Sequence, residues 1–105
     1  MIKAVIFDCF GVVLDVMRNF QNKEVIEAIQ GLKGEYKLAM LSNVTSRRSL
    51  DERFSPGTLD ELFDVVVASG DVGFEKPSPY IFTMTAEKLQ VQPEECLFVD
   101  DIESF

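Results

Sequence analysis

AVIFDCFGVVLD, residues 4–15, sets the reading of the whole chain. Ala4 to Phe7 form a short apolar run that ends on an acid, Asp8, and Cys9, Phe10 and Gly11 follow at once. A short continuous run of this kind suits a strand buried on both faces, here expected over Lys3 to Phe7. An acid closing a strand is often only a turn residue or a cap. Whether Asp8 is more than that depends on what the other strands deliver beside it.

Working outward, apolar runs alternate with helical patterns, which is how a parallel sheet covered by helices reads in sequence. The pattern gives a helix over about Lys23 to Leu32, with Asn22 as N-cap, a stripe of Val25, Ile29 and Leu32, and Gly34 to stop it. A second strand is expected over Tyr36 to Leu41, then a helical stretch from about Thr45 to Phe54 that meets the breaker Ser55-Pro56-Gly57. Thr58 with Glu61 reads as a capping box before Leu59 to Phe63. A third strand covers Val65 to Ala68, and Ser78 and Pro79 open a helix to about Leu89, with Pro79 suited to the first helical position. Cys96 to Val99 make a fourth strand, while Val13 to Gln21 shows no decisive pattern.

Composition narrows the function. At 105 residues, 47% hydrophobic and 27% charged, the chain is expected to fold as one globular domain, residues 1–105. No apolar run approaches the roughly 20 residues of a membrane span. The first residues lack the features of a signal peptide, so a cytoplasmic location is expected. The net charge is −8, with the acids concentrated after residue 53, which argues against a nucleic-acid partner. Two cysteines, Cys9 and Cys96, are too few for a disulfide framework and read as small buried hydrophobes. The chain has no histidine, so Ser-His-Asp chemistry is excluded and Cys9 has no histidine to activate it.

In a parallel α/β sheet, functional groups gather outside the carboxyl ends of the strands. Strand one ends at Asp8, strand two at Ser42 and Asn43, and strand four at Asp100 and Asp101, while Lys76 stands just before the helix that leads to strand four. These groups suit a phosphate monoester. Asp8 could attack phosphorus and form an aspartyl-phosphate. Anion attacking anion needs positive charge, which Mg²⁺ held by Asp8 with Asp101 or Asp100 would supply, and Lys76 would add a second cation. Ser42 and backbone N–H groups could hold the phosphoryl oxygens.

The segments VIFDCFGVVLD, LAMLSN, GFEKPSPYIF and CLFVDD resemble, in order, the four motifs of the haloacid dehalogenase-like hydrolase superfamily. The resemblance spans residues 4–101. It implies a Rossmann-like three-layer sandwich with a parallel sheet in the order 4-1-2-3, Mg²⁺ dependence and an aspartyl-enzyme intermediate. It assigns Asp8 as nucleophile, Ser42, Asn43 and Lys76 to phosphate binding, and Asp101, with Asp100 beside it, as metal carboxylates. The backbone carbonyl of Phe10 would be a further metal ligand, and the expected partner is a small phosphorylated molecule.

Three departures from the family pattern set further expectations. Family phosphatases usually carry a second Asp where this chain has Phe10, and phenylalanine can neither donate nor accept the proton of the reaction. Only 33 residues separate Asp8 from Ser42, so the helical cap domain usually inserted there is expected to be absent. The sequence stops four residues after Asp101, where the family adds a helix and a strand, so an exposed sheet edge is expected, with either pairing to a second copy or a natural or engineered fragment as its explanation. A catalytically weak or silent core that binds metal, phosphate or a partner is the alternative to a working phosphatase. A dehalogenase, whose chemistry needs no acid at position 10, is a third reading. A receiver domain is set aside, because its acidic pair would come early and its lysine last.

Overall fold

The computed structural model describes residues 1–9 and 23–99, together with the backbone of 14–15 and 20–21. Its elements are β1 (Ala4–Phe7), β2 (Leu14–Asp15), β3 (Phe20–Gln21), α1 (Lys23–Leu32), β4 (Lys37–Ser42), α2 (Arg47–Asp51), α3 (Thr58–Leu62), β5 (Val65–Ala68), α4 (Ser69–Val72), α5 (Pro79–Leu89) and β6 (Cys96–Val99). A 3₁₀ turn, Pro93–Glu95, leads into β6.

Four strands pair in the order β5-β4-β1-β6, all parallel. Counted as the four strands read from the sequence, this is the expected order 4-1-2-3. Alternation along β1 explains the layers, because successive side chains of a strand point to opposite faces. Val5 and Phe7 join a core with Ile29, Leu38, Met40, Leu50, Leu59 and Leu62, under α1, α2 and α3. Ala4 and Ile6 face the other way and pack with Ala39, Leu41, Val67, Ile81 and Leu89, under α5. The sheet is therefore the middle layer of three, which is why β1 and β4 read as unbroken apolar runs.

The ends of α1 and α5 have identifiable causes. Ile29 is fully buried, and burying such a side chain contributes about 1.5–3 kcal/mol. α1 ends at Leu32, whose carbonyl accepts from the N–H groups of Glu35 and Tyr36 across Gly34, a glycine at φ +93°. α5 starts as the sequence indicates, with the Ser78 side chain accepting from the Tyr80 N–H and Pro79 at the first position. It ends at Gln90, whose N–H donates to Ala86.

Two local readings are corrected. The helical stretch expected from Thr45 to Phe54 is only Arg47–Asp51, because Ser46 caps it by accepting from the Ser49 N–H. Thr58 and Glu61 do not form a capping box. Gly57, at φ +82°, occupies the N-cap position, so Thr58 is already helical and the Glu61 N–H donates to the Gly57 carbonyl. The β2–β3 pairing fills part of the stretch that showed no pattern, with Leu14 opposite Gln21 and Asp15 opposite Phe20. Asn22, the expected cap of α1, lies outside the described residues.

Candidate active site

β1 carries Asp8 to the carboxyl edge of the sheet. The Asp8 N–H donates to the Val99 carbonyl at 2.9 Å, continuing the β1–β6 ladder one residue past Phe7. The Asp8 side chain is fixed by two donors on one oxygen: Oδ1 accepts from the Cys9 N–H at 2.8 Å and lies 2.9 Å from Lys76 Nζ. The Lys76 and Asp8 side chains are only 11% and 15% exposed. This pair is thus much less screened than a surface ion pair.

Lys76 reaches Asp8 from the loop between α4 and α5. Its Nζ also stands 5.8 Å from the centre of the Phe98 ring, within cation–π range. Phe82 of α5 supports that ring in an edge-on contact at 4.9 Å. At the other side of the loop, Asn43 binds the Lys76 peptide twice. The Lys76 N–H donates to Asn43 Oδ1 at 2.8 Å, and Asn43 Nδ2 donates to the Lys76 carbonyl at 3.1 Å.

Ser42 ends β4, two positions past Met40, the register partner of Phe7. Its side chain is fully buried, and its Oγ has no hydrogen-bond partner among the described residues. Leaving a buried hydroxyl unpaired costs about 1–3 kcal/mol, so the group calls for a hydrogen-bonding partner.

The turn after Ser42 is held by α4, an element the sequence reading did not contain. Gly70 N–H and Ser69 Oγ both donate to the Val44 carbonyl, at 2.8 and 3.1 Å. Gly70 lies so close to this turn that a β-carbon there would sit 1.9 Å from the Thr45 carbonyl oxygen. Ser69-Gly70 directly after a strand was the available signal, although such a pair usually means only a turn.

Among the described residues no three acidic, cysteine or histidine side chains gather at one point. The described part of the site supplies one carboxylate for a cation, Asp8, an oxygen donor of the type Mg²⁺ takes. The other expected metal ligands, the Phe10 carbonyl, Asp100 and Asp101, lie outside the described residues. The two donors named on Asp8 Oδ1 fix the carboxylate at the strand end, and this one described ligand is compatible with Mg²⁺.

Cys9 is adjacent to Asp8 but fully buried, and its thiol is pushed up to about 12, chiefly by burial and then by the Asp8 charge. It stays protonated at neutral pH and is no nucleophile. Cys96 departs from the expectation of a buried cysteine, since it is only partly buried at the sheet edge. It lines an apolar groove of about 400 Å³ with Ile6, Lys76, Pro77, Phe82, Pro93 and Phe98. The groove reaches from Lys76, whose Nζ is 2.9 Å from Asp8, to Cys96, which pairs with Ala4 at the amino ends of the strands.

Comparison with known proteins agrees with this architecture. A phosphorylated carbohydrates phosphatase of Thermotoga maritima is 34% identical over 85 residues, covering 80% of this chain and 39% of its own length. Pyrophosphatase PpaX of Bacillus mycoides is 36% identical over 78 residues, covering 73% and 36%. The chain therefore spans well under half the length of these relatives. The crystal structure of a family enzyme from Bacteroides thetaiotaomicron, an Asp-to-Ala variant in complex with magnesium and inorganic phosphate, superposes with a TM-score of 0.80 at 15% identity. That superposition covers 98% of this chain and 86% of the other, and it shows a shared fold. The family model for haloacid dehalogenase-like hydrolases matches residues 18–103, beginning after Asp8, so β1 and its acid are placed by the fold and not by the match. On that match, over most of its length, the chain belongs to the haloacid dehalogenase-like hydrolases.

Proposed function

We propose that the chain is a Mg²⁺-dependent phosphohydrolase acting on phosphate esters or anhydrides through Asp8. The observation that carries this reading is the Lys76–Asp8 contact of 2.9 Å, made on the sheet edge where Ser42 Oγ is buried without a described partner. A nucleophilic carboxylate, a cation to offset substrate charge and an unanswered hydroxyl are what phosphoryl transfer needs. The named activities of the two phosphatase relatives support the same class.

In this reading Asp8 Oδ attacks phosphorus as the bond to the leaving oxygen breaks, and that oxygen takes a proton from solvent. Water then attacks the aspartyl-phosphate, the phosphorus–Asp8 bond breaks, and the carboxylate is restored as the water's proton is released. Lys76 offsets the charge of the transferring group, and Ser42 Oγ donates to one of its oxygens. Asp8, Asp101 or Asp100 and the Phe10 carbonyl would hold Mg²⁺, which would supply positive charge for one anion to approach another. Phe10 leaves proton transfer to solvent, a loss of about 10²–10⁴ in rate that falls least on good leaving groups. The interval from Asp8 to Ser42 includes the β2–β3 pairing and α1, in keeping with a core that has no inserted cap. An uncapped site is open to water and selects weakly among small substrates.

Phe10 is also the observation that favours a second reading, a core that binds phosphate and metal with little turnover. Hydrolysis of an activated aryl phosphate, with and without Mg²⁺, in the wild type and in Asp8→Asn, separates the two. Turnover that needs Mg²⁺ and vanishes in the variant supports the phosphohydrolase. A folded wild type with no turnover supports the silent core.

A further inference from the structure

The double contact between Asn43 and the Lys76 peptide carries more than a phosphate-binding role for Asn43. The Lys76 N–H and C=O both bond to the one Asn43 side-chain amide, so the two backbone groups face the same side. A side-chain amide answers both groups at once, with an acceptor and a donor held in one plane, whereas a carboxylate or hydroxyl of the same reach does not. The other backbone bonds described in this loop are local, Gly73 N–H to Ser69 and Ser78 N–H to Glu75. Asn43 therefore ties the loop to the end of β4, and the Lys76 head group ties it to Asp8 at the end of β1.

We propose that Asn43 is a positioning residue, which fixes the Lys76 peptide and through it sets Lys76 Nζ beside Asp8 without itself contacting substrate. This rests on the proposed role of Lys76 in offsetting phosphate charge. Asn43 is exposed and at the surface of the fold, so its replacement leaves the core intact.

The test is a double-mutant cycle on inorganic phosphate binding in the presence of Mg²⁺, with Asn43→Ala, Lys76→Ala and the pair. Two lost neutral hydrogen bonds should weaken binding by about tenfold in the Asn43→Ala chain. In the Lys76→Ala background the same change should cost nothing further, because what Asn43 positions is gone. An equal loss in both backgrounds would mean that Asn43 touches phosphate directly, and would overturn the proposal. Hydrogen exchange at the Lys76 amide gives a readout that does not depend on phosphate. It should accelerate in Asn43→Ala and remain slow in Asn43→Asp, which keeps the acceptor. Unchanged exchange in Asn43→Ala overturns the proposal. Accelerated exchange together with phosphate binding indifferent to Lys76→Ala upholds the tie and removes the proposed function instead.

Discussion

Lys76 Nζ lies 2.9 Å from Asp8 Oδ1 although the two residues are far apart in sequence and come from different places in the fold, a loop and the end of a strand. The pair is largely shielded from water, so the cation is in place before any substrate arrives. Lys76→Ala should lower the rate of hydrolysis of an aryl phosphate by about 10²–10³, the effect of removing one donor to a developing charge. Steady-state kinetics checks this. A loss of less than threefold would assign the lysine to stability alone.

Ser42→Ala should separate binding from stability. The hydroxyl is fully buried without a described partner, so removing it relieves a desolvated group and leaves only a small void. The variant should unfold at an unchanged or higher denaturant concentration while its affinity for inorganic phosphate falls. A clear drop in stability would show that the hydroxyl serves the fold.

Gly70→Ala should destabilise the chain by about 1–3 kcal/mol, the usual cost of forcing atoms into a packed place. The added carbon would collide with the Thr45 carbonyl, 1.9 Å away, and push on the turn that follows Ser42. Urea unfolding measures the first effect, and weakened phosphate binding should accompany it. The comparable change at Gly31, which has nothing within 4 Å, is the control.

The layer structure was legible in the letters because period and breakers are local. The strand at Val65–Ala68, the helix Pro79–Leu89 and the strand Cys96–Val99 were all bounded by such signals, and each stands where it was expected. Gly57 shows where that legibility ends. Thr58 and Glu61 have the spacing of a capping box, but a preceding glycine free to take positive φ moved the helix start by one residue. At the site, Asp8 and Ser42 could be picked out because strand ends are readable, and Lys76 because it stands just before the start of α5. The tie between Asn43 and the Lys76 peptide spans 33 residues in sequence and involves backbone groups that every residue has, so no pattern announces it.

Cys9 should make stability fall at alkaline pH. Its thiol titrates near 9.0 when free and near 12 in the fold, where burial disfavours the thiolate and Asp8 adds to the effect. Between those values the unfolded chain loses a proton that the folded chain keeps, so stability is complete below about pH 9 and declines above it. The slope is up to about 1.4 kcal/mol per pH unit for one proton. Urea unfolding from pH 8 to pH 11 should show this decline, and Cys9→Ala should remove Cys9's share of it. An identical pH dependence in the two chains would contradict the assignment.

In the proposed mechanism Asp8 is the residue that takes the phosphoryl group. Without a proton carrier at position 10, water attack on the aspartyl-phosphate should be slow, and the intermediate should accumulate. Acid quenching during turnover of an aryl phosphate with Mg²⁺, followed by peptide mapping, should find the phosphoryl group on the peptide containing Asp8 and none in Asp8→Asn. Turnover with an unmodified Asp8 peptide, or with the label on another residue, would contradict the mechanism.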